Sequence, residues 1–224
     1  ETVLAMVAAR LDRLDPQARR VLRAASVFGR EFIDRGVAAL LGGVDRTTQV
    51  GDRLRQLVDA EVLVRRGEVY AFRHTLLREA SYALLTEADR VLGHRLAGRW
   101  LLETGEGDPA VLAEHFARGD EPELAARWFH RAAEQALEGL ALAEALTWAE
   151  RARASGVMGE ALGAVRRVEA RAHSLREENA QAAAAGEEAV ALLPQGGAAW
   201  HLAVADLATT TLRIHARERL VSLA

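Results

Sequence analysis

The stretch YAFRHTLLREASYALL, residues 70–85, places one His, two Arg, one Glu and two Tyr in an otherwise aliphatic run. Side chains of these types can transfer protons, bind an anion or join two elements through buried hydrogen bonds. The stretch therefore predicts a catalytic centre, a ligand sensor or a polar cluster of the core.

Several reaction classes need residues that the chain lacks. The absence of Cys removes disulfides, thiolate nucleophiles and cysteine-based zinc sites. All 29 basic residues are Arg, whereas a Walker A loop or a protein kinase needs a Lys on the nucleotide phosphates. The seven His residues are scattered, and neither HExxH nor GxSxG occurs. We therefore predict no catalytic residues, no metal and no cofactor in this segment, and hence no enzyme.

Composition predicts a soluble, cytoplasmic chain with a packed core. Half of the 224 residues are apolar, but no apolar run is long enough for a membrane span. The first residues, ETVLAM, lack the basic start of a signal peptide. Because the chain starts at Glu1 rather than Met, we expect a segment of a longer protein.

The elements that must position His74 are helices followed by a hairpin. Apolar residues recur at helical spacing over residues 3–14, 16–28, 35–41 and 47–59, and Asp15-Pro16 is a typical start for the second of these helices. From Val62 to Phe72, two β-rich runs flank Arg66-Gly67, which predicts a hairpin. This order of elements is that of a winged helix. Thr86, with Asp89 three residues later, predicts the cap of the next helix.

The composition of the sequence changes at Gly105 to Pro109, a short polar stretch rich in the helix-breaking residues Gly and Pro. Beyond it the helices are rich in Ala, come in pairs and repeat about every 40 residues, without a complete repeat consensus. Paired helices of this kind are typical of tetratricopeptide-like repeats, which stack into an α-α superhelix. We therefore predict a mainly α chain: a winged-helix domain with trailing helices over 1–105, and degenerate tetratricopeptide-like repeats over 106–224.

DNA binding is an alternative function for a winged helix, because such domains often insert their third helix into the major groove. The polar residues available for it on the third helix and the wing are Arg46, Thr47, Thr48, Gln49, Arg53, Arg55, Gln56, Arg65 and Arg66. Acidic residues interrupt that surface at Asp45, Asp52, Asp59, Glu61 and Glu68. The net charge of −3 provides no general attraction to nucleic acid.

One family resemblance covers essentially the whole chain and is firmest before residue 105. The residues that carry it are Phe72-Arg73-His74, Leu77-Arg78-Glu79, Tyr82, Leu85, Arg90, His94 and Leu96, with the phrase from Leu11 to Phe32 upstream. They resemble the region that follows the ATPase core in bacterial STAND-type predicted ATPases. In that family an AAA-like ATPase precedes a winged helix and tetratricopeptide repeats, and is found fused to serine/threonine kinase, nucleotide cyclase or LuxR-type domains.

The resemblance implies a role for His74, with Arg73 beside it, as a nucleotide-phosphate sensor in the full-length protein. An imidazole can donate a hydrogen bond to a phosphate oxygen, and so can a guanidinium. In related NB-ARC switches, a His in a Met-His-Asp motif after the winged-helix hairpin contacts the bound nucleotide diphosphate. His74 stands at that junction, but Phe72-Arg73 replaces the Met and Thr75 replaces the Asp, so the Asp role does not carry over. The alternative, compatible with the first, is a buried polar cluster that joins hairpin and helix and consists of His74, Arg78, Glu79 and Tyr82.

These observations predict a non-catalytic regulatory segment of a signal-transduction ATPase. ATP or ADP would bind the parent protein, whose absent ATPase core is the expected partner in cis of the winged helix. The repeats would offer a surface to an unknown protein partner. Two alternatives remain: a winged-helix transcription regulator that binds DNA, and a helical-repeat scaffold without nucleotide coupling.

Overall fold

The computed structural model describes residues 11, 13–43 and 46–222, with side chains up to residue 215. Over these residues the chain is mainly helical, as predicted, with eleven helices and one small three-stranded sheet. The predicted helix over residues 3–14 lies outside the described residues except at its C-terminal end. The described chain forms two compact units: an N-terminal unit up to Gly107 that also includes Arg118–Asp120, and a C-terminal unit of Asp108–Ala117 and the residues from Glu121 onward.

The first three helices that the structure describes in the N-terminal unit are α1 (Pro16–Phe28), α2 (Asp34–Leu40) and α3 (Thr47–Asp59). The predicted start of α1 is confirmed, because the Asp15 carboxylate accepts hydrogen bonds from the N–H groups of Gln17 at 2.9 Å and Ala18 at 3.1 Å. These bonds, that from Ala18 above all, lower the pKa of the Asp15 carboxyl. They satisfy donors that a helix start leaves unpaired.

The sheet consists of β1 (Glu31–Ile33), β2 (Leu63–Arg66) and β3 (Val69–Phe72), antiparallel and in the order β1-β3-β2. The predicted hairpin is confirmed, with Leu63 paired to Phe72 and Arg66 to Val69. Gly67 follows β2 with φ of 64°, a value that favours glycine in a tight turn. β1 was not predicted, and it places Phe32 opposite Tyr70.

One core joins the helices and sheet of the N-terminal unit. Its fully buried members include Leu22, Leu54, Leu57, Leu63, Phe72 and Leu77. Because Phe72 ends β3 and Leu77 lies in the first turns of the next helix, both flanks of His74 are fixed by burial. Burial of a side chain of this size contributes about 1.5–3 kcal/mol.

Two further helices of the N-terminal unit are described, α4 (Thr75–Ala83) and α5 (Glu87–Thr104). The predicted cap of α5 is confirmed: Thr86 Oγ1 accepts from the Asp89 N–H at 3.1 Å and donates to Asp89 Oδ2 at 2.8 Å. Gly93 lets α5 approach α1 closely, because a Cβ there would lie 3.1 Å from the Val27 side chain. We call the bend between α4 and α5 the elbow. The start of α5, just after the elbow, is fixed by its cap and by packing on α1.

The C-terminal unit contains six helices: α6 (Pro109–Arg118), α7 (Pro122–Glu138), α8 (Leu142–Ala154), α9 (Gly159–Leu175), α10 (Asn179–Leu192) and α11 (Ala198–Ser222). Helix α7 packs on α8, α9 packs on α10, and α9 also contacts α7, α8 and α11. The helices α7, α9 and α11 begin at residues 122, 159 and 198, and are thus spaced by 37 and 39 residues. The unit therefore repeats a helix pair.

Two turns of the C-terminal unit have the same geometry. Leu140, after α7, and Glu177, after α9, have φ of 58° and 62°. The next residues, Ala141 and Glu178, then donate N–H groups five residues back, at 2.8 and 3.0 Å. This bond pattern ends a helix and reverses the chain. Alanines with no exposed surface, such as Ala133, Ala145 and Ala172, allow the helices to pack closely.

Candidate functional site

His74 lies at the surface of the N-terminal unit, immediately before α4. Its backbone is extended, with φ of −134° and ψ of 139°, and its side chain makes no capping hydrogen bond to α4. Arg73 is also exposed, and its guanidinium lies 3.8 Å from the Glu61 carboxylate. The two predicted sensor residues are thus neighbours at an exposed helix N-terminus, where the helix dipole favours an anion.

A polar cluster joins α4 to α5, and we call it the elbow cluster: Arg78, Tyr82, Arg90 and His94. The Tyr82 hydroxyl lies 2.8 Å from Nε2 of the buried His94. The guanidinium carbons of Arg78 and Arg90 lie over the Tyr82 ring, 5.3 and 5.0 Å from its centre. Arg78 also donates to the Ser26 carbonyl of α1 at 3.3 Å. The cluster ties three helices together.

The predicted buried cluster of hairpin and helix is wrong for two of its members. His74 and Glu79 are exposed and lie outside the elbow cluster. Arg78 and Tyr82 do belong to it, and their further partners are His94 and Arg90 of α5. Both α4 and α5 pack on α1, and across the bend at Leu85 the Tyr82 hydroxyl lies within hydrogen-bond distance of the His94 imidazole.

The predicted DNA-binding residues lie on a surface of mixed charge. Arg53 lies 3.6 Å from Asp15 and donates to Gln56 at 2.9 Å, and Arg55 pairs with Asp52. On the hairpin, Arg65 donates to the Gly67 carbonyl at 2.8 Å. Guanidinium groups held by carboxylates have less charge available for phosphates.

The C-terminal unit contains a groove that the sequence did not predict, and we call it the repeat groove. It has a volume of about 410 Å³ and lies between α7 and α9. Its apolar lining is Ala126, Val157, Met158, Ala161 and Val165, with Glu123, Arg127 and His130 from α7. Met158 is 81% exposed at the start of α9. An exposed Met beside a small-residue floor is suited to contact with apolar side chains of a partner.

His130 is the histidine that lines the repeat groove. Burial lowers the pKa of its imidazole, as do Arg167 and Arg131, whereas Glu134 acts in the opposite direction from 3.7 Å. The imidazole is therefore neutral at neutral pH. Its Nε2 atom is buried and makes no hydrogen bond within the described structure.

An ion-pair network crosses the second helix pair beside the groove. Glu169, whose side chain is only 6% exposed, accepts from Arg153 at 2.9 Å and from Arg166 at 2.7 Å. Arg166 also holds Glu188 through two bonds of 2.6 and 2.7 Å. Burial of Arg166 opposes its charge, but the hydrogen bonds to Glu169 and Glu188 outweigh burial and raise its pKa. The network fixes α8, α9 and α10 against each other.

The described residues were searched for a metal site and a membrane-spanning helix, and the chain was compared with known proteins. Among the described residues, no three His, Cys, Asp or Glu side chains come together as a set of metal ligands. None of the described helices combines the length and apolar character that crossing a membrane requires. The described chain is thus a helix-and-hairpin unit followed by repeated helix pairs. No protein-family model matches it, and neither a curated protein nor a solved structure is detectably similar.

Proposed function

We propose that the chain is a non-catalytic, protein-binding regulatory segment of a bacterial signal-transduction ATPase of STAND type. In this proposal the N-terminal unit is a winged helix, and the C-terminal unit consists of degenerate tetratricopeptide-like repeats. ATP and ADP bind the ATPase core of the parent protein, which is cytoplasmic. The segment itself transmits partner binding to that core.

The order of elements in the N-terminal unit supports a winged helix. Helix α1, strand β1, helices α2 and α3, and the β2-β3 hairpin follow each other, and β1 pairs with β3. The hairpin leads directly into α4 through Arg73 and His74. These two residues are exposed at a helix N-terminus, which supports their proposed contact with a nucleotide phosphate on the ATPase core.

The repeat groove is the observation that carries the proposed protein-binding role. It lies between α7 and α9, the first helices of two consecutive pairs, where tetratricopeptide-like repeats would present their concave surface. An exposed apolar surface next to polar residues marks a site of protein interaction. A partner that binds here with different affinity for the closed and open states of the parent would shift their equilibrium.

The protein-binding role is tested by blocking the repeat groove. Ala161→Arg places a long cation on its floor, whereas Leu140→Arg makes the same change of charge at an exposed position outside the groove. In affinity isolation from extracts of the source cells, we expect a protein that the wild type and Leu140→Arg retain and Ala161→Arg loses. If every retained protein is equally bound by all three chains, the groove is not a binding site.

The sensor role of His74 is tested in the parent protein. Replacing His74 by Ala should speed ADP release about tenfold, because a hydrogen bond from the imidazole to the phosphate is lost. Glu79→Ala, an exposed change on α4 outside the elbow cluster, is the control and should leave release unchanged. Equal rates for the wild type and His74→Ala would remove His74 from nucleotide binding.

A further inference from the structure

We propose that a second groove, in the N-terminal unit, binds an acidic amphipathic segment of a partner protein. Two adjoining hollows form it, of about 340 and 210 Å³, and both are lined by Arg20 and Leu41. Because these two residues line both hollows, the hollows adjoin each other, one next to α3 and the other next to α5. This inference rests on the groove alone and holds whichever protein the segment belongs to.

The half of the groove next to α3 is basic. Its lining includes Arg20, Arg46 and Arg53, with the amides of Gln17, Gln49 and Gln56. No ion pair joins Arg20 or Arg46 to another described residue. The one carboxylate in this half, Asp52, is already paired with Arg55. Two guanidinium groups are therefore available here, and their planar donors match a carboxylate.

The half next to α5 combines aliphatic side chains with charged ones. Its aliphatic lining is Val27, Leu40, Leu41, Leu85, Leu92 and Leu96. Leu92 is 52% exposed, so a large apolar side chain faces solvent at this end. Arg23 borders the same half, and no ion pair joins it to another described residue. Asp89, also in the lining, is held by Thr86 at the cap of α5.

A helix with carboxylates on one side and leucines on the other fits both halves. Its carboxylates would lie against Arg20 and Arg46, and its apolar side chains against Leu92 and Leu96. DNA fits less well, because a phosphate backbone has no counterpart for the leucines of the hollow next to α5. In addition, the Asp15 carboxylate lies 3.6 Å from Arg53 and reduces the positive charge available to phosphates. Laying an amphipathic helix in a groove is a common mode of protein recognition.

The probe that tests this is a fluorescein-labelled peptide of about 18 residues, or about five helical turns, with repeated Glu-Glu-Leu-Leu units. Fluorescence anisotropy with the full chain should detect binding, and a peptide with Lys for Glu should not bind. Arg20→Glu with Arg46→Glu, or Leu92→Asp alone, should weaken binding at least about tenfold. The double variant Arg20→Gln with Arg46→Gln should also weaken binding of the acidic peptide. It replaces the charge-reversed variant in the test if charge reversal unfolds the N-terminal unit.

Two controls match these variants. Arg30→Glu changes an exposed Arg outside the groove, and Leu84→Asp changes a Leu that is 52% exposed, as Leu92 is, but does not line it. Both controls should bind the acidic peptide as the wild type does. The proposal is overturned by no binding up to about 1 mM peptide, or by equal loss in variants and controls. Duplex DNA retarded at low salt through Arg20 and Arg46 would overturn it in favour of nucleic acid.

Discussion

The Tyr82 hydroxyl supports the elbow cluster through its hydrogen bond to the buried His94. We expect Tyr82→Phe to lower the free energy of unfolding by about 1–2 kcal/mol, because it deletes one partner of a buried polar group. Tyr70→Phe is the control: Tyr70 is 2% exposed, but its hydroxyl makes no hydrogen bond within the described structure, so its loss should cost less. Urea unfolding of both variants makes the comparison, and a larger loss from Tyr70→Phe would contradict it.

Glu169 is a buried carboxylate shared by two arginines. Its replacement by Ala leaves Arg153 and Arg166 without that partner, and we expect a loss of about 3 kcal/mol in the free energy of unfolding. Glu188→Ala removes a carboxylate that also binds Arg166 but is 48% exposed, and should cost less than about 1 kcal/mol. If denaturant unfolding shows an equal loss of free energy of unfolding in both variants, the burial of Glu169 does not increase its contribution to stability.

His130 makes the stability of the C-terminal unit depend on pH. Burial lowers its pKa in the folded state below the unfolded value of about 6.5. Below that pH the unfolded chain binds a proton that the folded chain does not, so stability falls as pH falls from about 6.5 towards the folded pKa. Above it the imidazole is neutral in both states and contributes no slope.

The wild type should therefore lose more stability than His130→Gln between about pH 7.5 and about pH 5.5. His201→Gln, on an exposed part of α11, is the matched control and should follow the wild type. Denaturant unfolding at the two pH values measures all three chains. If the free energy of unfolding of His130→Gln depends on pH as that of the wild type does, groups other than His130 cause the pH dependence.

At the scale of the elements, the turn after α7 stores strain at Leu140. Its φ of 58° is unfavourable for a side chain with a Cβ, and the side chain is 69% exposed, so little burial is lost on truncation. We expect Leu140→Gly to raise the free energy of unfolding by about 0.5–1 kcal/mol after the greater chain entropy of Gly is subtracted. Leu202→Gly, at a helical position that is 55% exposed, should instead lose about 1 kcal/mol. Thermal unfolding of the two variants shows whether the first is more stable, and the second less stable, than the wild type.

Helices and the hairpin were predictable because their signals are local. The apolar spacing over Thr47–Asp59 and the Asp15-Pro16 pair depend on neighbours within a few residues, and the structure has both elements there. Strand β1 has three residues, and its pairing partner β3 comes 36 positions later, so no local pattern indicates it.

The candidate site was less predictable, because it depends on contacts between elements. His74 was assigned a sensor role only through a family resemblance, and that role stays a prediction; its exposure is seen only in the structure. Tyr82 and His94 contact each other across the elbow between α4 and α5. The spacing of residues in the sequence does not predict the angle between the two helices. The repeat groove is lined by Val157 and Met158, which lie in a connection between helices rather than on a periodic face.

At the scale of the whole molecule, each unit encloses its own buried core. Phe72 in the N-terminal unit and Phe129 in the C-terminal unit are each 1% exposed, and Phe129 stacks on Trp148 with ring centres 5.8 Å apart. Truncation of either to Ala leaves a cavity and should lower the stability of its unit by about 3–5 kcal/mol. Because cooperative unfolding follows contiguous cores, each cavity should act first on the unit that contains it.

Hydrogen exchange with mass spectrometry tests this in the full chain. Phe129→Ala should speed exchange in peptides from α7 to α10, and Phe72→Ala in peptides from α1 to α5. The two variants serve as controls for each other, since they remove the same side chain at the same exposure. Equal acceleration along the whole chain in both variants would show a single cooperative transition. Separate responses would mean that a ligand on the repeat groove and one on the N-terminal groove can stabilise their units independently.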